Sequence, residues 1–120
     1  SIGEKYNNQY KRFGKTPSSG LNLKYRIAEK LVLSKLKDIF GGKIKMMPCG
    51  GAPIDESIVA YFHAIGINVK VGYGLTESMA TVTLFGDKNI EFASVGKTIA
   101  GSEIKIGANN EILVRGPGVM

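Results

Sequence analysis

Apolar side chains recur every three to four residues in three segments, and this period predicts three amphipathic helices. The first is predicted over residues 2–13, where three aromatic residues share one face. The second is predicted from residue 22 or 23 to residue 40, with Asn22 as its N-cap and two glycines as its stop. The third is predicted to begin at the cap Asp55 and to end at Gly66.

The second and third helices each offer an apolar face to a core. In the second helix the stripe consists of Ile27, Ala28, Leu31, Val32, Leu36, Ile39 and Phe40. In the third helix the face consists of Ile58, Val59, Phe62 and Ile65. His63, the single histidine, falls off that face and has no carboxylate or metal-ligating neighbour one turn away. We therefore assign His63 no catalytic role.

β-Prone residues predict strands over 43–47 or 43–48, over 67–71 and over 79–85. The first two flank the third helix, and short connections of this kind favour parallel neighbours joined by a right-handed crossover. The sequence therefore predicts an α/β fold with a parallel strand-helix-strand core.

The last third of the chain is β-rich. A hairpin is predicted from residues 103–106 and 111–114 about the turn 107–110, where Asn110 tolerates a left-handed backbone. Residues 86–89 predict a surface loop, and residues 94–98 lack the bulk of a strand core.

One segment, residues 69–78, combines a strand, a tight turn and polar side chains. Three β-prone residues lead into Gly72-Tyr73-Gly74, after which come the hydroxyl of Thr76 and the carboxylate of Glu77. Open α/β sheets place ligand sites at such strand ends. The flanking glycines would let a flat ligand lie against Tyr73, while Thr76 suits a phosphate and Glu77 a divalent cation.

Generic nucleotide motifs do not account for this segment. The dinucleotide fingerprint fails because Glu77 stands where its last glycine belongs. Gly-Lys-Thr triplets begin at Gly14 and Gly96, but Gln9 and Glu91 replace the upstream glycine of a phosphate-binding loop. On its own, the segment is equally compatible with a structural turn.

Other motifs accompany it in a fixed order. They are Cys49-Gly50-Gly51-Ala52-Pro53 upstream and Ser94-Val95-Gly96-Lys97 and Glu111-Ile112-Leu113-Val114-Arg115-Gly116-Pro117 downstream. Together they resemble the adenylate-forming family of acyl-CoA synthetases, luciferases and peptide-synthetase adenylation domains. The bacterial long-chain fatty-acid–CoA ligases are the most similar branch, because residues 30–36, 40–42 and 62–67 also match it. The resemblance covers roughly residues 23–120.

This resemblance implies an excerpt of the large N-terminal, AMP-binding domain of such an enzyme. We expect residues 1–120 to form a single partial domain. Within it, residues 1–22 are a helix and loop lead-in, residues 23–78 an α/β core with the ATP loop, and residues 79–120 a β-rich segment.

The resemblance also implies roles for individual residues. Thr76 and Glu77 would be catalytic, Thr76 binding phosphate and Glu77 coordinating Mg²⁺. The contacts to ATP would come from Gly50, Gly51, Ala52, Pro53, Tyr73, Gly74 and Thr76. The acyl substrate would contact Gly74, Leu75, Ser78, Val95 and Gly96. The implied substrates are a fatty acid, ATP and coenzyme A, whose site lies largely outside these residues.

Several parts of such an enzyme have no match here, among them a phosphate loop ending in Pro-Lys, a Thr-Gly-Asp segment and a lysine-bearing C-terminal domain. We therefore expect these residues to be inactive alone. Three alternatives stay open: an adenylating enzyme for an aryl or amino acid, a non-catalytic nucleotide-binding module, and a basic interaction module.

Composition places the chain among globular proteins of one domain, since 43% of its 120 residues are hydrophobic and 22% are charged. One cysteine, Cys49, cannot form an intramolecular disulfide, and we interpret it as a small buried hydrophobe. No apolar run approaches the roughly 18 residues that span a membrane.

The net charge of +6 is unevenly distributed. Residues 1–45 contain eleven basic and three acidic residues, whereas the remainder contains five basic and seven acidic. No aromatic residues interleave the basic ones, which argues against nucleic acid as a partner. Contact with an anionic membrane is more compatible with this charge distribution. Because a single cysteine fits a reducing compartment, we expect a cytoplasmic protein, with peripheral contact at the inner face of the membrane left open.

Overall fold

Three helices precede or connect the strands in the computed structural model, which describes residues 1–120. Helix α1 spans Glu4–Tyr10 with π-helical winding, and one 3-10 turn, Lys11–Phe13, extends it. Helix α2 consists of three consecutive segments, Ser19–Ala28, Glu29–Leu33 and Ser34–Asp38. Helix α3 spans Glu56–Ala64.

Six strands form two sheets. Their bounds are β1 Met46–Cys49, β2 Asn68–Tyr73, β3 Thr83–Leu84, β4 Lys97–Thr98, β5 Glu103–Ile106 and β6 Ile112–Arg115. The first sheet has the order β1-β2-β3-β4, with β1 and β2 parallel and the other pairs antiparallel. Strands β5 and β6 form a separate antiparallel hairpin. The predicted α/β fold, with its parallel strand-helix-strand unit and its C-terminal hairpin, is confirmed.

The core lies between α3 and the inner face of β2. Its five buried members are Val59, Ile65, Ile67, Val69 and Val71. Leu33 and Leu36 of α2, and Phe40 just after its end, pack against this cluster. Burying β-branched residues from one strand against one helix face removes apolar surface from water, and this holds β2 in place beneath the loop that follows it.

Helix α1 attaches to the outer side of α3. The buried Asn7 amide donates to the Tyr25 hydroxyl at 3.1 Å and to the Ala64 carbonyl oxygen at 3.0 Å. The Tyr6 ring stacks on the Tyr25 ring with centroids 3.8 Å apart. These contacts fix the first helix to the core, and Gly14, with φ of 68°, ends it as predicted.

The second helix differs from its prediction at its start and along its surface. It begins at Ser19, because the Ser18 hydroxyl accepts the Leu21 N–H, so Ser18 and not Asn22 is the cap. Gly41 and Gly42 adopt positive φ and stop the helix as predicted. The predicted apolar stripe is only half used, since Ile27, Leu31, Val32 and Ile39 are more than half exposed.

The third helix keeps its predicted cap, because the Asp55 carboxylate accepts the Ser57 N–H at 2.7 Å. Its buried face is rotated from the predicted one. Ile58 is 46% exposed, whereas His63 is only 8% exposed. The placement of His63 off the buried face was therefore wrong, since β2 and Phe92 cover the side of the helix on which it lies.

Strand bounds shift by a few residues from the predictions, and one strand is largely replaced. The first strand begins at Met46 and the second extends to Tyr73. In place of the strand predicted over 79–85, the chain turns sharply at Met79 and Ala80, which have φ of 51° and 76°. This reversal lets β3 return antiparallel against the end of β2, with Gly72 opposite Leu84.

Two smaller features concern the last third of the chain. Residues 97–98 form a short strand against β3 with both residues exposed, so segment 94–98 contributes no buried strand core. The hairpin turn is as predicted, with φ of 62° at Asn110. No helix combines the length and the apolar character needed to cross a bilayer.

Candidate functional site

Parallel pairing brings the two glycine-rich motifs to one edge of the sheet. Cys49 of β1 lies opposite Val71 of β2 in the register. The two segments that follow these strands therefore leave the sheet side by side. One is Gly50-Gly51 and the other is Gly72-Tyr73-Gly74. A site assembled here uses residues from both loops, as is usual at the carboxyl ends of parallel strands.

Close backbone packing explains the glycines on both sides of Tyr73. A Cβ atom at Gly72 would lie 2.7 Å from the Thr83 carbonyl oxygen, and one at Gly74 would overlap the Ala80 carbonyl. The returning chain at Ala80–Thr83 thus occupies the space that side chains would need. This requirement is structural and exists without any ligand.

Two clefts open beside the Gly72-Tyr73-Gly74 segment. The first has a volume of about 640 Å³ and is bordered by Pro48–Gly51 on one side and by Met79–Thr81 on the other. The second has a volume of about 470 Å³ and is bordered by residues 51–54 and 92–95. Both include Gly51 and the run from Gly72 to Leu75 in their walls. Tyr73 therefore stands at the partition between the two.

Hydrogen bonds fix the backbone of Tyr73 at this position. Its N–H donates to the Thr83 hydroxyl oxygen at 3.1 Å, and that hydroxyl donates to the Val95 carbonyl oxygen at 2.7 Å. Thr83 is buried, so the chain of bonds is shielded from water. The wall between the clefts is consequently tied to both β3 and the 92–95 segment.

The polar residues after Tyr73 lie on a single 3-10 turn, Thr76–Ser78. Thr76 lines the first cleft, whereas the side chains of Glu77 and Ser78 line neither cleft. The Ser78 hydroxyl accepts the Leu75 N–H and donates to the Leu75 carbonyl oxygen, both at 3.0 Å. Ser78 thus fixes the shape of the turn, and Glu77 is exposed at its outer side.

Residues predicted to contact nucleotide or acid divide between the clefts. Gly50 lines the first cleft, while Ala52, Pro53 and Val95 line the second. Gly96 lines neither, and its φ of 86° together with its packing against the Leu84 backbone gives it a structural use. The ligand roles assigned to all of these residues stay predictions.

The loop after Tyr73 offers a magnesium ion one carboxylate, that of Glu77. No cluster of three or more His, Cys, Asp or Glu side chains exists in the structure. Mg²⁺ in nucleotide sites keeps several waters and takes one or two carboxylates together with phosphate oxygens. An exposed Glu77 beside the first cleft fits that limited donor set, and any further ligands would have to come from the nucleotide and water.

Several cleft residues were not singled out from the sequence. They are Ile54, Lys70, Met79, Leu84 and Phe92. Lys70 is notable because its side chain is only 11% exposed and its ammonium donates to the Asp87 carboxylate at 2.7 Å. That contact lowers the pKa of Asp87 below its ordinary value. The sequence did contain one sign of this, because Lys70 is a charged residue between two valines of a predicted strand.

His63 lines neither of these two clefts, and its contacts are structural. Its Nε2–H donates to the Val69 carbonyl oxygen at 3.1 Å, and its ring packs against Phe92. Burial lowers the pKa of His63, with a smaller contribution from the charge of Arg12, so the neutral ring is favoured. Cys49 is partly buried, packs against the core and borders the first cleft.

Comparison with known proteins gives one consistent family. The sequence profile described as AMP-binding enzyme matches residues 12–120. The putative fatty-acid–CoA ligase fadD11 of Mycobacterium tuberculosis is 35% identical over 108 residues, which cover 89% of this chain and 19% of the relative. The long-chain-fatty-acid–CoA ligase FadD15 of Mycobacterium bovis is 30% identical over 100 residues, which cover 83% of this chain and 17% of the relative.

A comparison with solved structures is consistent with these sequence matches. A variant of E. coli MenE with bound OSB-AMS superposes with a TM-score of 0.56 and 30% identity, covering 72% of this chain and 20% of that one. The chain spans less than a fifth of the length of the two curated relatives.

Proposed function

The chain belongs to the family of AMP-binding enzymes, and we propose that its residues form part of the nucleotide and acid site of an ATP-dependent fatty-acid–CoA ligase. The observation that carries this proposal is the meeting of Gly50-Gly51 with Gly72-Tyr73-Gly74 between two clefts. Relatives named as fatty-acid–CoA ligases support the choice of acid and acceptor.

The proposed reaction has two steps. In the first, a carboxylate oxygen of the acid attacks the α-phosphorus of ATP, and pyrophosphate leaves. In the second, the thiol sulfur of coenzyme A gives up its proton to water and attacks the acyl carbon, and AMP leaves with the bonding electrons. Both steps bring anionic groups together, so the protein contributes mainly positioning and electrostatic stabilisation.

Each residue in the two loops has a proposed part. Tyr73 offers a ring face to the adenine, while Gly50 and Gly51 leave room for the base and offer backbone groups. Thr76 donates its hydroxyl to a phosphate oxygen. Glu77 would hold Mg²⁺, which when bound neutralises the phosphates and lowers the cost of bringing the carboxylate near.

Contacts to the acid are proposed at the boundary of the clefts. Gly74 and Leu75 line both clefts, and Val95 lines the second, whose walls include Ile54 and Phe92. Apolar walls of this kind suit the hydrocarbon chain of an acyl group better than they suit a charged group. Ser78 contributes through the shape of the turn, and Gly96 through the packing of the segment before β4.

The cellular setting is also a proposal. The basic first 45 residues would favour contact with an anionic membrane surface, and we place the protein in the cytoplasm or at the inner face of the membrane. Binding of the chain to vesicles that contain phosphatidylglycerol, and not to phosphatidylcholine vesicles, is the expected result. Equal binding to both vesicle types would contradict it.

Acid-dependent exchange of radiolabelled pyrophosphate into ATP tests the reaction in the longer polypeptide that contains this chain. Long-chain fatty acids should support exchange better than aryl or amino acids, and Glu77→Gln should reduce the exchange rate. Exchange supported by none of these acids would refute the proposal. We expect residues 1–120 alone to form no thioester, because the other parts of the site lie outside them.

A second candidate differs in the acid. The likeness to MenE, whose structure holds OSB-AMS, favours an enzyme that activates another carboxylic acid. The same exchange assay separates the two, since an aryl acid would then be preferred over a fatty acid. A non-catalytic nucleotide-binding module would instead bind ATP and show no exchange with any acid.

A further inference from the structure

A third cleft lies at the opposite end of β2 from Tyr73. Its volume is about 280 Å³, and its walls come from the end of α1, the end of α3, the start of β2 and the loop that contains Asp87. The six residues of β2 separate it from the Tyr73 loop by about 17 Å, at about 3.3 Å per residue. It is therefore distinct from the candidate nucleotide and acid site.

Positive charge without a carboxylate partner surrounds this cleft. Its lining contains Lys11, Arg12 and Lys45, none of which forms an ion pair in the structure. The one carboxylate in the lining, Asp87, accepts a hydrogen bond from Lys70 at 2.7 Å. Three positive charges are thus left uncompensated around one concave surface, which raises the local potential for anions.

Arg12 is held in a fixed orientation at the wall. Its guanidinium carbon lies 4.7 Å from the Phe13 ring centroid and 4.1 Å from the Phe92 ring centroid, and its Nε–H donates to the Ile90 carbonyl. Its terminal Nη groups make no hydrogen bond or ion pair within the chain. A pre-oriented guanidinium loses little entropy when it binds an oxyanion.

The size and the neutral lining narrow the ligand. A volume of 280 Å³ corresponds to about nine waters at about 30 Å³ each, which is enough for a partly hydrated diphosphate or a small phosphate ester. The amides of Asn7 and Asn68 and the neutral ring of His63 complete the walls and add no negative charge. The three positive charges are balanced better by a ligand with two or more negative charges than by a ligand with a single carboxylate.

We propose that this cleft, defined by Lys11, Arg12 and Lys45, binds a phosphate-type oxyanion. The class includes inorganic phosphate, pyrophosphate and small phosphate monoesters, which share tetrahedral oxygens and multiple negative charge. The assignment does not depend on the proposed ligase function, because this cleft shares no lining residue with the other two and meets the second only where Arg12 contacts the outer side of the Phe92 wall.

Titration of the chain with pyrophosphate, followed by amide chemical shifts, tests the proposal. At constant ionic strength, saturable shifts are expected at Lys11, Lys45 and Asn68, while acetate should produce none. Lys45→Ala should weaken pyrophosphate binding about tenfold, the value of one charge-assisted hydrogen bond. Thr76→Val, which removes the hydroxyl proposed to bind phosphate in the first cleft, should leave the affinity unchanged, and this separates the third cleft from the nucleotide site.

Two matched variants control for the general basicity of the region. Lys43→Ala and Lys15→Ala each remove one positive charge from the basic first 45 residues without removing a lining residue. Both should keep the affinity within about twofold, as expected for screened surface charges. Equal losses in all the lysine variants would mean diffuse attraction to a basic surface and would overturn the proposal, as would the absence of saturable shifts.

Discussion

Gly50 lies directly against Gly72, so that a Cβ atom built on Gly50 would be 3.1 Å from the Gly72 carbonyl oxygen. The parallel register of Cys49 with Val71 sets this approach. It joins two loops that are distant in the sequence into one edge with a cleft on each side of Tyr73. We propose that this junction binds an adenylate.

The packing of the chain at Ala80 predicts the effect of adding one methyl group at Gly74. Gly74→Ala should lower the free energy of unfolding by about 2 kcal/mol or more, because its Cβ would overlap the Ala80 carbonyl. Urea denaturation measures the change. Gly86→Ala is the control, since its Cβ would have no atom within 4 Å and should change stability by less than about 0.5 kcal/mol. Similar losses in both variants would contradict the packing.

The strained backbone at Ala80 predicts a stabilising substitution. With φ of 76°, alanine is in a region that costs about 1–3 kcal/mol for a residue with a side chain. Ala80→Gly should therefore raise the thermal midpoint, even after the larger entropy of an unfolded glycine is subtracted. Ala108→Gly, at a residue without positive φ, should lower it. A lower midpoint for Ala80→Gly would show that the turn is unstrained.

Stability should depend on the ionisation of His63. Burial lowers its folded pKa below the unfolded value, so the unfolded chain binds more protons as the pH falls. The contribution is fully present above about pH 6.5 and is lost as the pH falls through the lowered folded pKa. Urea midpoints in phosphate-free buffer should decrease from pH 7.5 to pH 5.

A His63→Gln variant provides the comparison. It should be less stable at pH 7.5 and should lose most of the dependence between pH 7.5 and pH 5. The carboxylates of Asp55 and Asp87, whose pKa values are lowered by hydrogen bonds from Ser57 and Lys70, act only at more acidic pH. An unchanged pH dependence in the variant would assign the effect to other groups.

Local signals in the sequence predicted what depends on near neighbours. The Asp55 cap, the stop at Gly41-Gly42 and the left-handed Asn110 rest on hydrogen bonds and steric limits within a few residues. The pairing of β1 with β2 also follows from a short helical crossover. The edge that carries the candidate site was predictable for these reasons.

The parts that were wrong depend on contacts distant in sequence. The buried face of α3 differs from the predicted one because β2 and Phe92 cover His63. The apolar periodicity of the helix does not indicate either contact. The strand predicted over 79–85 is mostly a reversal, because Gly72 and Gly74 admit the returning backbone. The sequence contains both glycines, but it does not indicate that residues 80–83 pack against them.

The most direct test of the adenylate claim is binding of a non-hydrolysable acyl sulfamoyl adenosine to the chain, followed by amide chemical shifts. Shifts are expected at Gly50–Ala52 and Tyr73–Thr76, and Tyr73→Ala should weaken binding about tenfold, since stacking of a base on an aromatic ring contributes about 1–3 kcal/mol. Tyr61→Ala, which removes an exposed ring of α3 outside both clefts, should have no effect. Shifts confined to other surfaces, or equal affinity of the Tyr73→Ala and unmodified chains, would contradict the account.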